Sequence, residues 1–182
     1  LKLARGDWAE AFGDRLVLLD PEVEVTDAQL ERVHTPLHVK RMRDVFKAAK
    51  ERTAILGLDG DTRVSPGTSD AVLKAGGFVI AAVDEVLSAS PVSRAFVMAR
   101  PPGHHAEPET AMGFCIFNHI MVGAAHAQAH HGKIRAAILD FDVHHGNGDQ
   151  AMCMKDGNRF YASSHQSPHY PGTGSVEGRF GV

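Results

Sequence analysis

One stretch of the sequence decides the fold: Ile138-Leu139-Asp140-Phe141-Asp142-Val143-His144-His145-Gly146-Asn147-Gly148. The apolar run that leads into it, residues 136–139, predicts a buried strand that ends before the Gly-Asn-Gly break. Residues two apart in a strand share a face, so Asp140, Asp142 and His144 are expected to point the same way. A carboxylate and an imidazole at the end of one strand suit Zn²⁺ or Fe²⁺ better than Mg²⁺ or Ca²⁺. The stretch therefore predicts a metal site at a strand end.

Outward from this stretch, strands and helices alternate. Further strands are predicted at residues 15–19, 94–99 and 159–163, and helices at the Thr26 capping box, at Thr35-Pro36, and at residues 69–88, 115–131 and 149–154. Strands separated by helices predict βαβ units, which means an α/β fold with a parallel β-sheet and helices on both faces. Ligands bind at the carboxyl ends of such strands. The polar residues that follow three of them, at positions 104–105, 142–144 and 163–165, are therefore expected to meet at one rim.

Local patterns add detail to this outline. The helix after Thr35-Pro36 carries an apolar stripe formed by Val39, Met42, Phe46 and Ala49. The pair Gly76-Gly77 in the long helix indicates close packing against a neighbour, because glycine costs helix stability. Residues 57–68 predict a loop in which Asp59 and Asp61 serve turn chemistry, with contacts to a ligand as the alternative.

Composition limits the class of protein. The 182 residues suffice for one domain with a sizeable core, and 19 basic against 22 acidic residues give a net charge of −3, which offers no basic surface for nucleic acid or a membrane. Two cysteines, Cys115 and Cys153, form neither a disulfide framework nor a CxxC zinc site, which favours a reducing, cytoplasmic compartment, or the nucleus in a eukaryote. Ten of the 12 histidines fall between His104 and His169. Among them, the histidines at 126, 130 and 131 are interpreted as helix-surface residues.

The adjacent pair His104-His105 follows a rigid Pro-Pro-Gly turn. Either histidine could ligate a metal, but with an Asp/His pair already present the more plausible role is acid–base catalysis. A histidine in that role needs a partner that sets its tautomer, and Asp140 and Asn147 are the candidates. His165 is a further metal ligand on composition alone. A solvated loop with two exposed histidines is the structural alternative.

Four ordered motifs together resemble the zinc-dependent histone deacetylase family. They are Arg100-Pro101-Pro102-Gly103-His104-His105-Ala106, Gly113-Phe114-Cys115, Asp140 to Gly148, and Tyr170-Pro171-Gly172-Thr173-Gly174. The similarity is greatest to class II and bacterial histone deacetylase-like amidohydrolase members. It implies a single deacetylase-like domain over residues 1–182 with the arginase/deacetylase-like fold, truncated and incomplete at both ends, so that the chain represents the N-terminal and central part.

The resemblance also implies an activity and a set of site residues. The expected activity is zinc-dependent removal of acetyl groups from lysine side chains of proteins such as histones. The expected zinc ligands are Asp142 and His144, and the catalytic residues are His104, His105, Asp140 and Asn147. The acyl-lysine tunnel is expected to use Gly113, Phe114 and Tyr170, where Tyr170 replaces the more common Phe. A monovalent cation, potassium, is expected at Asp140, Asp142, His144, Ser163 and Ser164.

Departures from the family pattern leave alternatives open. The family's third zinc ligand, an Asp, and its transition-state Tyr come from a later half that these residues do not contain, and a His-Pro-Glu-Arg type motif is absent. An arginase-like Asp-x-His-x-Asp pattern would end on an acid where Gly146 stands, which favours one catalytic metal. The alternatives are an acetylpolyamine deacetylase and, in a different class, a non-catalytic binding or regulatory module. An open strand edge also leads us to expect a homo-oligomer.

Overall fold

The computed structural model describes residues 9–19, 21–132 and 134–175. The helices in this part of the chain are α1 (Ala9–Phe12), α2 (Asp27–Leu30), α3 (Pro36–Arg52), α4 (Thr68–Leu87), α5 (His119–His130) and α6 (Asn147–Cys153). The strands are β1 (Leu56–Gly57), β2 (Arg63–Val64), β3 (Ala136–Asp140) and β4 (Arg159–Ser163). None of the described helices is both long and apolar enough to cross a membrane.

Helices α2 and α3 begin where the sequence predicts, because side chains cap their first turns. The Thr26 hydroxyl accepts a hydrogen bond from Gln29 N, and Thr26 N donates to Gln29 Oε1, which completes the capping box. Thr35 caps α3, and Pro36 occupies its first turn, where an N–H would have no helical partner. The apolar stripe predicted for α3 is confirmed, since all four of its residues are buried: Val39, Met42, Phe46 and Ala49.

The glycine pair in α4 marks close packing, as predicted. A Cβ atom on Gly76 would lie 2.6 Å from Val25 Cγ1, and one on Gly77 would overlap the carbonyl group of Val23. Gly123 plays the same part in α5, because a Cβ there would lie 2.6 Å from Val79 Cγ1 of α4. Small residues thus let segment 21–25 and α5 pack directly on α4.

Strands β3 and β4 pair in parallel, with Ala136 opposite Arg159 and Asp140 opposite Ser163. The strand predicted at 159–163 is therefore confirmed. Because the two strands end at the same level, Asp140 and Ser163 lie side by side at the carboxyl edge of the strand pair. The candidate site lies at this edge.

Among the described residues, one face of the strand pair is covered and the other is exposed. Ile138 and Tyr161 pack against Met121, Met152 and Cys153 of α5 and α6. On the other face Leu139 is 71% exposed, so the prediction that the strand at 136–139 is buried is wrong for the part of the chain that the structure describes. An apolar run of this kind is typical of a strand packed between two layers of helices. The described residues form a helical layer on one face of the strand pair.

Other parts of the chain also differ from the predictions. Residues 15–19 and 94–99 form no strand, because an apolar run becomes a strand only beside a second backbone that pairs with it. The helix expected from residue 115 begins at His119, since the Asn118 side chain caps it and accepts from Met121 N. The loop at 57–68 includes the β1–β2 hairpin, and Asp59 Oδ1 accepts from Asp61 N and Thr62 N, which confirms turn chemistry.

The main hydrophobic core lies between α2, α3, α4 and the chain that leads into α5. Phe117 is fully buried in it, and its ring lies 6.2 Å from that of Phe46 and within 5.6 Å of the rings of His34 and His38. The core therefore holds the segment before α5 against α3. That segment carries part of the candidate site.

Candidate active site

The candidate site is built where β3 and β4 end and where loop 100–106 meets the start of α6. His104 O accepts hydrogen bonds from Gly148 N at 3.0 Å and from Asp149 N at 3.2 Å. Gly148 allows this approach, because a Cβ there would overlap the carbonyl group of Ala106. The loop is thereby fixed on α6, and its two histidines reach the end of β3.

His104 is paired with Asp140. His104 Nδ1 donates to Asp140 Oδ2 at 3.1 Å, and the same carboxylate accepts from the Tyr161 hydroxyl at 3.3 Å and from Asp142 N at 3.1 Å. Burial by itself lowers the pKa of His104, but the hydrogen bond and charge of Asp140 raise it above its usual value. Burial by itself raises the pKa of Asp140, but the hydrogen bonds from His104 Nδ1 and Asp142 N bring it below its usual value. This pair favours a charged imidazole.

His105 is paired with Asn147, and its electrostatics are the reverse. The Asn147 amide nitrogen donates to Glu107 Oε1 at 2.7 Å, which turns Asn147 Oδ1 toward His105 Nδ1 at 2.9 Å. An amide oxygen only accepts, so Nδ1 carries the proton and Nε2 is left as the acceptor. Burial and the nearby His104 lower the pKa of His105. This imidazole is therefore neutral and basic at Nε2.

Asp142 and His144 follow β3 in a bend rather than in the strand. The alternation expected for Asp140, Asp142 and His144 is therefore wrong beyond Asp140, where the strand ends. Turn hydrogen bonds place the two residues instead: His144 N donates to Asp142 Oδ1 at 2.8 Å. His144 Nδ1 lies 3.3 Å and His104 Nε2 lies 4.0 Å from the same oxygen. A half-exposed carboxylate beside an imidazole is a donor set that fits zinc.

Ser163 and Ser164 lie beside these residues at the end of β4. Ser164 N donates to Asp140 O at 3.0 Å, and Ser163 Oγ lies 2.8 Å from His165 Nδ1. Next to them, the buried His145 bonds Thr173 Oγ1 through Nδ1 at 2.8 Å. The structure thus brings the residues expected at a monovalent cation to one edge, and it ties His165 to Ser163.

Gly113, Phe114 and Tyr170 form a rim near His105, in which Gly113 and Tyr170 contact the His105 ring. A Cβ atom on Gly113 would overlap the His105 ring and lie 3.0 Å from Tyr170 Cε1, and Gly113 has a φ of +56° that glycine adopts without strain. The Tyr170 ring centroid lies 5.0 Å from that of His105 and 5.9 Å from that of His144. Phe114 is 59% exposed, and its N–H donates to Thr62 Oγ1 at 3.1 Å. These residues can line an approach to His105.

Two buried residues that the sequence interpretation missed support this arrangement. Asn118 Nδ2 donates to Asp149 Oδ1 at 2.7 Å and to Ala106 O at 3.4 Å. Asp149 is 2% exposed, and burial raises its pKa to about 7. An Asn directly before a helix is a recognisable cap, so the correct start of α5 would have pointed to Asn118. No local pattern marks Asp149.

Two buried histidines of the N-terminal half also hold the site loops. His34 Nδ1 donates to Glu107 O at 3.1 Å, while its Nε2 accepts from Asn118 N at 2.9 Å. His38 Nε2 donates to Ile116 O at 2.9 Å. Burial lowers the pKa of His34 to about 3, so it stays neutral and keeps both hydrogen bonds. The segment at 107–118 is thus anchored to α3 and to the turn that precedes it.

Comparison with known proteins identifies a family and several relatives. The family model of the histone deacetylase domain matches residues 8–180. The chain is 40% identical to the histone deacetylase-like amidohydrolase of Pseudomonas aeruginosa over 146 residues, which cover 80% of the chain and 37% of the relative. It is 35% identical to the polyamine deacetylase HDAC10 of Homo sapiens over 147 residues, which cover 80% of the chain and 22% of that protein.

A solved structure shows the same fold. The crystal structure of the HDA15 HD domain matches with a TM-score of 0.82 and 32% identity, over 96% of the chain and 48% of that domain. The predicted arginase/deacetylase-like α/β fold is therefore confirmed. The chain spans about two fifths of the length of the first curated relatives it matches. On the match of the family model over residues 8–180, the chain belongs to the histone deacetylase domain family.

Proposed function

We propose that the chain is part of a zinc-dependent amidohydrolase that removes acetyl groups from lysine side chains of proteins such as histones. One observation carries this proposal: the pairs His104–Asp140 and His105–Asn147 meet beside Asp142 and His144. An acid, a base and a metal-ligating pair are the groups that hydrolysis of an amide needs. Residues 1–182 would then form one part of a single deacetylase-like domain.

Asp142 and His144 would hold the zinc ion through a carboxylate oxygen and an imidazole nitrogen. Bound zinc supplies Lewis-acid chemistry, which polarises an amide carbonyl and acidifies water. Catalytic zinc sites usually have three protein ligands. The family pattern takes the third from an Asp beyond the motifs of this chain, so the full site would need that residue as well.

The two histidines would divide the movement of protons. His105 would take the proton of the attacking water at Nε2, because Asn147 holds the other ring nitrogen protonated and burial keeps the ring neutral. The amine that leaves when the carbon–nitrogen bond breaks would then receive that proton. His104, held charged by Asp140, would support the developing negative charge. Asp140 and Asn147 would act through the histidines by fixing their tautomers.

The rim would bind the acyl-lysine chain. The Tyr170 ring lies beside His105 and the exposed Phe114 follows Gly113, so both rings would flank the acyl chain, and the Gly113 backbone carbonyl would accept from the substrate amide. Potassium would bind next to the zinc through Asp140, Asp142, His144, Ser163 and Ser164. The carboxylate, hydroxyl and carbonyl oxygens of these residues are ligands that hard cations prefer. We also propose a reducing compartment, since both cysteines are free and buried.

Zinc content tests the metal part of the proposal. The purified chain is expected to bind zinc with ligands that include Asp142, so Asp142→Asn should lose that ion while the exposed Asp44→Asn control keeps it. Equal zinc content in both variants would contradict the assignment. Circular dichroism of each variant separates metal loss from unfolding.

Activity tests the chemical part. In the protein that carries this chain, a fluorogenic acetyl-lysine peptide should be deacetylated, and His105→Ala should lower kcat by about 10²-fold or more, the usual contribution of a general base. An unchanged kcat in that variant would overturn the role of His105. His130→Ala, an exposed histidine at the end of α5 that contacts none of these residues, serves as the control.

A second activity has a specific observation in its favour. The chain is 35% identical to a polyamine deacetylase over 80% of its length, so an acetylated polyamine is an alternative substrate. The ratio of kcat/KM for an acetyl-lysine peptide and for an N-acetylpolyamine decides between them. A protein that hydrolyses neither but binds an acetyl-lysine peptide would instead be a binding or regulatory module.

A further inference from the structure

A second cluster of metal-ligating side chains lies between the C-terminal ends of α4 and α5. Asp84 belongs to the last turns of α4, His126 lies on α5, and His131 is the C-cap of α5. Asp84 Oδ1 lies 2.7 Å from His126 Nε2 and 2.8 Å from His131 Nε2, and one ligand atom from each residue falls within 4.8 Å of the others. Within residues 9–19, 21–132 and 134–175, this is the one group of three such side chains with that spacing.

The cluster is separate from the candidate active site. His131 precedes β3, whereas Asp142 and His144 follow its far end, so the five residues of that strand lie between them. Five residues of extended chain span about 16 Å. The two sites share no residue.

The fold holds the three side chains in place before any ion binds. Gly123 brings α5 against Val79, which sets the spacing of the two helices. His126 is nearly buried at 5% exposure, and the chain leaves the helix at His131, followed by Gly132 with a φ of +91°. The interpretation of the histidines at 126 and 131 as plain helix-surface residues is therefore wrong, because both point at Asp84.

The acid of the cluster is charged and reachable. Its side chain is 50% exposed, so an ion can enter from solvent. Burial alone would raise the pKa of Asp84, but the hydrogen bonds from His131 and His126 lower it below the usual value. A carboxylate with two imidazoles is a ligand set for a borderline divalent transition metal, with zinc a common choice.

We propose that Asp84, His126 and His131 form a second metal site, which binds zinc and joins the end of α4 to the end of α5. Zinc ligands lie about 2.0–2.2 Å from the ion, which puts ligand atoms of a tetrahedral site about 3.3 Å apart. The two Asp84 contacts therefore have to open by about half an ångström when the ion enters, a movement within the range of a half-exposed carboxylate. Water completes the coordination.

Arg32 competes with the metal in this arrangement. Its Nη1 lies 3.2 Å from His126 Nδ1, and its Nη2 lies 2.9 Å from His130 Nε2. A guanidinium only donates, so His126 Nδ1 is an acceptor and Nε2 carries the proton that faces Asp84. Metal binding at Nε2 requires that proton to move to Nδ1, and Arg32 must then swing away. Removal of Arg32 should therefore strengthen binding.

Zinc titration by calorimetry tests the site. An Asp142→Ala/His144→Ala background removes the candidate catalytic ligands, and about one zinc per chain should still bind. Adding Asp84→Asn or His131→Gln should weaken this binding more than tenfold, whereas the exposed Asp44→Asn should not. Arg32→Ala should tighten zinc binding about tenfold, which is the size of change in metal affinity that residues contacting a metal ligand usually cause. The exposed Arg52→Ala should leave zinc binding unchanged.

The unsubstituted chain provides a test that needs no variant to fold. With ¹⁵N-labelled histidine, zinc should shift the Nε2 resonances of His126 and His131 and move the proton of His126 to Nδ1. An absence of any change at these two rings with zinc at about 1 mM, or equal binding in Asp84→Asn and its control, would overturn the proposal. Neither result depends on the proposed deacetylase activity, because the sites share no ligand.

Discussion

His104 and His105 are neighbours whose ring centroids lie 3.9 Å apart, yet their surroundings differ. A carboxylate faces one and a side-chain amide faces the other. The carboxylate favours the charged ring, while the amide fixes a tautomer without adding charge. Two neighbouring residues of the same type can therefore differ in charge and tautomer within one site.

The amide partner of His105 leads to a prediction about pH. Asn147→Asp places a carboxylate 2.9 Å from His105 Nδ1 and should raise the pKa of that histidine. A base must be unprotonated to act, so the acidic limb of the kcat/KM profile should move to higher pH by about one unit or more. The measurement is the pH profile of the protein that carries this chain. Asn158→Asp, at an exposed position, is the control, and an unshifted acidic limb would contradict the role of Asn147.

A second prediction at this scale concerns stability. Burial lowers the pKa of His34 to about 3, while a histidine in the unfolded chain has its ordinary pKa of 6.5. Between these values the unfolded state binds the extra proton, so the contribution of His34 to stability is complete above pH 6.5 and is lost as the pH falls. The loss from pH 6.5 to pH 5 is about 2 kcal/mol.

His34→Gln removes this titration. The fall in the free energy of unfolding between pH 6.5 and pH 5, measured by urea titration, should shrink by about 2 kcal/mol relative to the unsubstituted chain. A substitution at an exposed position without a titrating group, Asn158→Gln, should keep the full fall. Equal pH dependence in all three proteins would show that His34 does not titrate differently on folding.

Part of this residue-level arrangement could be predicted from the sequence. The strand end at Asp140 and the rigid turn before His104 were predictable because each is local, but the pairing of His104 with Asp140 rested on the family resemblance, since these partners are 36 residues apart. Asp149 could not be predicted, since its burial and its bond to Asn118 arise only when α5 and α6 come together. The Asp84 cluster was missed for the same reason: its members are 42 and 47 residues apart in the chain.

At the scale of the element, α4 shows how a helix can depend on residues with poor helix propensity. Gly77 weakens the isolated helix, but its missing side chain admits the backbone of Val23. Gly77→Ala should therefore lower the free energy of unfolding by about 1–3 kcal/mol, even though alanine favours a helix. Urea unfolding measures the change. Gly60→Ala, which has open space around it, should be neutral, and a stabilised Gly77→Ala would contradict this account of the packing.

Caps were easier to predict than strands at this scale. Thr26 and Thr35 bond to residues three positions further on, so four letters of sequence contain the information. Residues 94–99 have a strand-like composition but no strand, because pairing depends on a second backbone that composition does not specify. Composition likewise does not specify how much of a strand its neighbours cover. Strands β3 and β4 were therefore predicted correctly, while the exposure of their outer face was not.

At the scale of the whole molecule, the main feature is the face of the strand pair that the described residues leave exposed. Leu139, Phe141 and Phe160 are 71%, 83% and 58% exposed. Contiguous apolar surface of this kind promotes association. We therefore expect the chain to self-associate, which agrees with the homo-oligomer expected from an open sheet edge.

Sedimentation velocity over a concentration series tests this expectation. Phe141→Ser should shift the chain toward the monomer, whereas Leu37→Gln, at a 77% exposed position on α3, should not. An unsubstituted chain that stays monomeric at all concentrations would contradict the expected self-association. The free energy of unfolding should change little in either variant, because both side chains already face solvent.

The register of β3 and β4 also limits how the length of the chain can vary. Asp140 faces Ser163, and Tyr161 bonds both the Asp140 carboxylate and Gly146 N. Side chains alternate along a strand, so one inserted or deleted residue within β4 would turn Tyr161 to the opposite face and separate it from Asp140. The exposed turn near Gly157, by contrast, has open space and can absorb such a change. Insertions and deletions compatible with the site should therefore collect in that turn and be excluded from both strands.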